Sequence, residues 1–264
     1  MTKYYDIGLN LFCRQFSEPD RIIAEAADEG VSCIITGSDM KSSEKAARYV
    51  RDHECWSTCG IHPHSASSAD ARSFRRIREI VSGNSKVVAV GECGLDYDRM
   101  FSPKDKQLSC LEEHIRIAEE LGKPLFLHER DAFEDFVSVF EKHRDICRTS
   151  VVHCFTGNRD VLEKYLDMGF SIGVTGWICD DRRGQELRDA VKIIPLDRIM
   201  AETDAPYLTP RNIPGLSRTN HPCNIKYVAA ALAGYMGTDE ALLIEKLREN
   251  TERFFGIKQT AKGE

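Results

Sequence analysis

Four side chains able to bind a divalent cation stand at the ends of apolar runs spread along the chain. Glu92 follows Val87-Val88-Ala89-Val90-Gly91, His128 follows Leu125-Phe126-Leu127, His153 follows Val151-Val152, and Asp204 lies in Ala201-Glu202-Thr203-Asp204-Ala205-Pro206. An unpaired ring or carboxylate at the end of a buried run is costly, so each needs a partner. Imidazole nitrogens and carboxylate oxygens are the usual ligands of a hard-to-borderline divalent metal, and at these positions ligation outranks a satisfied core histidine or a buried salt bridge. A metal so held lowers the pKa of water, polarises a phosphoryl or carbonyl oxygen and orients a leaving group; two metals about 4 Å apart serve both ends of a scissile bond. Glu202 reads as either a supporting or a structural carboxylate.

Weaker signals lie nearby. His62 and His64, in Gly60-Ile61-His62-Pro63-His64, follow an apolar run in what reads as a turn. They suit phosphate contacts, metal contacts or proton donors, beside the plainer reading of exposed loop histidines. Asp6, Asn10 and Asp96 fall at or after other apolar runs. Arg182 and Arg183, in the run Asp180-Asp181-Arg182-Arg183-Gly184 after Trp177, suit a phosphate or a solvated helix start. His53, His114 and His143 sit on helical stretches and read as surface or partner-satisfied residues.

These residues need elements that bring them to one place. Short β-rich runs fall near 5–11, 32–36, 56–61, 87–92, 125–128, 151–155, 171–175 and 199–202, eight in all. Between them, 21–29, 43–53, 72–81, 106–121, 132–143, 160–167 and 183–193 carry apolar residues at helical spacing. Gly30, Gly122 and Gly169 read as helix stops. Repeated βα units imply a parallel sheet, and eight of them close into a (β/α)8 TIM-type barrel, an α/β fold, as a single domain over 1–264. Active sites of such barrels collect at the C-terminal ends of the strands, where the candidate residues fall. Helical stretches at 225–235 and 239–255 would cover the outside and bottom, and 209–220, with Pro210, Pro214 and Gly215, reads as a long loop on the functional face.

Composition narrows the class. The 264 residues, 42% hydrophobic and 30% charged, suit one globular core of roughly the 250 residues such a barrel needs. The expectation is a soluble, cytoplasmic monomer, with no secretory signal or membrane span in view. Ten cysteines without a CxxC pair read as reduced thiols; Cys33, Cys55, Cys93 and Cys154 read as small buried hydrophobes. A net charge of −6 argues against a protein that coats nucleic acid, so a nucleic-acid enzyme would need local positive charge from a metal or an arginine cluster.

The stretches Asp6-Ile7-Gly8-Leu9-Asn10-Leu11, Ile61-His62-Pro63-His64, Gly91-Glu92-Cys93-Gly94-Leu95-Asp96, Leu127-His128, Val152-His153-Cys154-Phe155-Thr156-Gly157, Thr175-Gly176-Trp177-Ile178-Cys179-Asp180 and Glu202-Thr203-Asp204-Ala205-Pro206-Tyr207-Leu208 together resemble the TatD-related metal-dependent deoxyribonucleases, across essentially the whole chain. The resemblance implies a hydrolase of the amidohydrolase type, acting on DNA as a 3′-5′ exonuclease with magnesium, manganese or zinc being alternatives. It places the metal ligands on Glu92, His128, His153 and Asp204. Asp204 would also help activate the attacking water, and His62 and His64 would lie beside the scissile phosphate. Two positions depart from the pattern: Gly8 and Asn10 stand where many relatives have histidines, leaving Asp6 or Asn10 to assist a magnesium through water, and Glu129 stands where Cys is common.

The leading expectation is therefore hydrolysis of a DNA phosphodiester, at single-stranded 3′ ends, by metal-activated water, with Arg130, Arg182 or Arg183 offsetting phosphate charge. A second keeps the metal and changes the substrate to another ester or amide, such as aminoacyl-tRNA. A third is a binding protein that has lost turnover with its first-strand histidines.

Overall fold

In the computed structural model, which describes residues 2–258, eight parallel strands pair in chain order. They are β1 (Tyr4–Leu9), β2 (Val31–Ile35), β3 (Trp56–Cys59), β4 (Val87–Asp96), β5 (Leu125–Arg130), β6 (Ser150–Val152), β7 (Ser171–Val174) and β8 (Ile199–Ala201). Helices α1 (Pro19–Asp28), α2 (Met40–Tyr49), α3 (Ala71–Gly83), α4 (Lys104–Leu121), α5 (Phe133–Glu141), α6 (Arg159–Met168) and α7 (Gln185–Ala190) alternate with the strands, and α8 (Ile225–Met236) and α9 (Glu240–Phe255) follow β8. This is the expected (β/α)8 barrel.

Local chemistry sets the boundaries. Asp39, Asp70, Asn158 and Asp239 each accept a backbone N–H in the first turn of the helix they precede. Gly122 and Gly169 end α4 and α6 in the left-handed conformation. Inside the barrel Tyr5, Ile7, Ile34, Val88, Ala89, Phe126, Val151 and Met200 pack with Phe255 and Ile257 from the end of the chain, while a larger apolar cluster joins strands to helices. Among the described residues no helix is long and apolar enough to cross a membrane.

Four boundaries differ from the sequence expectation in ways that matter. β4 runs four residues past Glu92, with a register shift against β5 between Gly91 and Cys93, so Glu92 is the extra residue of a bulge. Gly91 and Gly94 permit this at φ of 135° and 145°; a Cβ there would lie 2.2 Å from the Phe126 carbonyl oxygen and 1.8 Å from that of His128. β6 stops before Cys154, whose φ of 48° lies outside strand geometry, and β8 ends at Ala201, one residue short of the expected bound. The expected helix over 183–193 shortens to α7 with a 3-10 turn, Val191–Ile193, because Arg183 is drawn back to Asp180.

Asp6 has a different role from the one expected. It is fully buried, and its carboxylate accepts Thr203 N–H at 2.8 Å, the Thr203 hydroxyl and Gly8 N–H. With Asn10 N–H donating to the Ala205 carbonyl at 2.8 Å, it stitches β1 to the end of β8. Asp6 therefore closes the barrel seam and does not reach the cavity.

Candidate metal and active site

The C-terminal ends of the strands surround a cavity of about 850 Å³ whose lining includes Asn10, His62, His64, Glu92, Asp96, His128, His153 and Asp204. Every catalytic and metal-ligating candidate taken from the sequence thus faces one space. Four positive-φ residues, Asp131, Cys154, Asp204 and Leu208, also border it. Strained backbone of this kind collects where side chains must be aimed.

Glu92 is the hub. Its Oε1 lies 2.8 Å from His153 Nε2, 3.2 Å from His128 Nδ1 and 3.3 Å from His62 Nε2. The opposite nitrogens of two of these rings face other carboxylates: His153 Nδ1 lies 3.2 Å from Glu202 Oε2, and His128 Nε2 lies 3.2 Å from Asp96 Oδ2. A neutral imidazole has one N–H. Donated to Glu202 or Asp96, it leaves a lone pair of His153 or His128 pointing at an anionic oxygen, an arrangement that calls for a cation between them or a proton on each ring. Carboxylate behind histidine is also how metal sites fix the tautomer of their ligands. The donor set therefore fits a divalent metal.

Ligand atoms of His62, Glu92 and His128 all lie within 4.8 Å of one another. His62 is nevertheless the poorest ligand of the three. Its Nδ1 accepts the His64 backbone N–H at 3.1 Å, which puts its own proton on Nε2, the nitrogen facing Glu92. The turn that carries the ring is held from behind by buried His114 on α4, which accepts the Ile61 N–H at Nε2 (3.0 Å) and donates Nδ1–H to the Cys110 carbonyl. His114 is thus a satisfied core histidine, as expected, and it locks the backbone leading into His62.

Electrostatics follow burial and charge. Burial works to raise the Glu92 carboxyl, yet His62 and His153 hold it well below the usual carboxylate range. Burial works to lower His153, but Glu92 and Glu202 keep it well above an ordinary imidazole. Burial lowers His62 despite Glu92, favouring the neutral ring. At Asp204 burial, with Glu92 and Glu202 as like charges, pushes the carboxyl up to about 7 against His153 and an Asn10 hydrogen bond. Burial likewise pushes the Cys93 and Cys154 thiols well up, so they stay protonated and unreactive.

The departures from the family pattern have structural reasons. Asn10 Nδ2 donates to Asp204 Oδ1 at 2.7 Å, a direct contact where help through water was expected. Gly8 leaves room for Glu202: a Cβ at position 8 would lie 2.5 Å from Glu202 Oε2. Glu202 itself, ambiguous in sequence, is fully buried, accepts the Cys154 N–H and orients His153. Glu129 accepts the Ala132 N–H at 2.8 Å and the Tyr165 hydroxyl at 2.9 Å, bracing the turn into α5.

The cations on this cavity are Arg99 and Arg130; Arg182 and Arg183 do not line it, which corrects their expected place. Arg99 was missed, as was exposed Phe101, whose ring stands edge-on to His64 at 4.8 Å. Both follow Asp96, and ending β4 at Glu92 hid them.

Over residues 5–256 the sequence matches the family model described as TatD related DNase. It is 40% identical over 258 residues to a Shigella flexneri protein named 3′-5′ ssDNA/RNA exonuclease TatD, spanning 96% of this chain and 99% of that one. It is 42% identical over 256 residues to a Cronobacter sakazakii protein of the same name, spanning 95% and 97%. Among solved structures, a TatD homolog from Escherichia coli K12 superposes with a TM-score of 0.88 at 25% identity, over 97% of this chain and 99% of that one.

Proposed function

The chain belongs to the TatD-related DNase family, and from that premise we propose that it is a metal-dependent 3′-5′ exonuclease acting on single-stranded nucleic acid. The observation that carries the reading is the convergence of His128 Nδ1 and His153 Nε2 on Glu92 Oε1, each ring backed by a second carboxylate. Relatives named for both ssDNA and RNA widen the substrate from DNA alone. Exposed Phe101, edge-on to His64, and Tyr207 on the cavity wall suit stacking of unpaired bases.

Glu92, His128, His153 and Asp204 would hold a divalent cation, magnesium in this reading with manganese or zinc as alternatives, which when bound supplies Lewis-acid charge to the scissile phosphate and the attacking water. Glu202 and Asp96 hold the His153 and His128 rings with a lone pair directed into the cavity. Asp204, fixed through one oxygen by Asn10, accepts the proton of the attacking water as the new P–O bond forms. The P–O3′ bond breaks, the departing O3′ takes up a proton from solvent to become the new 3′-hydroxyl, and a nucleoside 5′-monophosphate leaves the 3′ end. His62, neutral with its Nε2–H facing Glu92, and His64, anchored 2.9 Å from Asp96 Oδ2, lie beside the scissile phosphate. Arg99 and Arg130 offset phosphate charge at the cavity wall. No observation favours the ester-or-amide or scaffold alternatives.

The test is degradation of 3′-labelled single-stranded DNA with magnesium, against a chelator control and a Glu92→Ala, Asp204→Ala double variant. Loss of label that requires both metal and carboxylates is expected. Full activity in chelator, or in the folded double variant, would refute the assignment.

A further inference from the structure

Beside the catalytic cavity lies a second of about 610 Å³, and the two share Trp177 and Leu208 as wall. The second is lined by three arginines, Arg183, Arg211 and Arg218, and by the single carboxylate Asp180. A chain of net charge −6 has gathered positive charge at this place.

The cluster is built from below. Asp180 is buried and accepts the Arg182 backbone N–H at 3.0 Å. Its other oxygen takes Arg183 through Nε at 3.1 Å and Nη2 at 2.9 Å, and faces Arg211 Nε at 3.4 Å. One buried carboxylate thus aligns two guanidiniums that otherwise would repel, and leaves further N–H groups on both. Arg183 is also fixed over the Trp177 ring at 4.2 Å, while the Trp177 indole N–H donates to its carbonyl. Arg218 has no ion-pair partner among the described residues. The segment carrying Arg211 and Arg218 leaves directly from Asp204 and is tied back where Asn220 donates to the Thr203 carbonyl at 3.0 Å. Trp177 and Leu208, which the two cavities share, line the catalytic cavity together with Asp204, so the arginine groove adjoins it.

We propose that the groove lined by Arg183, Arg211 and Arg218 binds the phosphate immediately 5′ of the scissile linkage, gripping a single strand at a second, non-reacting position. The proposal rests on the exonuclease reading, because an enzyme that removes the 3′-terminal nucleotide has further phosphates only on the 5′ side. Guanidinium forks match phosphate oxygens in geometry as well as charge.

The experiment compares kcat/KM on a dinucleotide, which has only the scissile phosphate, with a trinucleotide, which adds one upstream. The wild type favours the trinucleotide. In an Arg211→Ala, Arg218→Ala variant the trinucleotide-to-dinucleotide ratio falls by about tenfold, the effect of removing one charge-assisted hydrogen bond to the upstream phosphate. On a longer strand, the dependence of log kcat/KM on log salt becomes shallower by about 0.7 for one phosphate contact. Arg211→Lys, Arg218→Lys keeps the salt slope and recovers part of the ratio. A ratio unchanged in the alanine variant, or an equal fall on both substrates, overturns the subsite while leaving the nuclease reading standing. A wild type that degrades no single-stranded DNA of any length removes that reading and the subsite with it.

Discussion

Replacing Glu202 by Gln tests whether a residue that touches no substrate sets the metal affinity. Both partners of the carboxylate are donors: His153 Nδ1–H faces Oε2 at 3.2 Å, and the Cys154 N–H faces Oε1. An amide offers one oxygen and one NH2, so in either orientation a donor meets a donor. If the oxygen stays with Cys154, His153 must move its proton to Nε2 and lose the lone pair aimed at the metal. One such mismatch in a buried site costs about 1–3 kcal/mol. Converted at 1.36 kcal/mol per decade, that weakens metal binding by roughly 5- to 150-fold, in line with the 10- to 100-fold typical of carboxylates behind metal-binding histidines. The assay is single-strand hydrolysis against magnesium concentration, with direct manganese binding as a second readout and a thermal melt to confirm folding. The half-saturating metal concentration should rise, and activity should recover as metal is raised. A titration curve superimposable on the wild type would sink the argument.

Two further outcomes follow from buried contacts. His114→Leu leaves the Ile61 N–H without its acceptor and should destabilise the protein by about 1–3 kcal/mol at pH 7, measured by denaturant unfolding. Burial pushes the His114 imidazole down to about 4 in the folded state, whereas an unfolded histidine titrates near 6.5. The unfolded chain therefore takes up the proton first: this stability is complete above about pH 6.5 and erodes as pH falls towards 4. The gap between wild type and variant should narrow by about 2 kcal/mol from pH 7 to pH 5, and a constant gap would contradict the sign. Gly8→Ala places a Cβ 2.5 Å from a Glu202 carboxylate that Gly173 confines on its other side, so it should cost about 1–3 kcal/mol. In a Glu202→Ala background that cost should largely vanish, and a double-mutant cycle showing additive losses would rule out the contact.

Much of this was legible in the sequence. Alternation of short β-rich runs with helical periodicity pointed to the barrel, because each βα unit buries a strand beneath its helix. His128 and His153 announced themselves as rings ending apolar runs. The hidden parts depend on backbone geometry without a periodic signature. The bulge at Glu92 carries β4 on to Asp96, so the carboxylate shared by His64 and His128 lay outside the strand as read. Asp6 reads like a site residue because it is a carboxylate on β1, yet seam closure is a relation between β1 and β8 that no local pattern displays. Arg182 and Arg183 form an obvious pair in sequence; only the fold shows Asp180 turning Arg183 towards the neighbouring groove.

Gly8 on β1 and Asn10 just beyond it make sense as a choice about where charge is placed. Glu202 lies between Gly8 and Gly173, each of which would press a Cβ within 2.6 Å of one of its oxygens. Any side chain at position 8 would therefore require the Glu202 carboxylate to move. Asn10 occupies the other position and is committed to orienting Asp204. Gly8 on β1 and Asn10 just after it thus serve residues that follow β8: one makes room for the carboxylate facing His153, the other holds the Asp204 carboxylate. The glycine and the asparagine thus place and orient two carboxylates, Glu202 facing His153 and Asp204 lining the cavity.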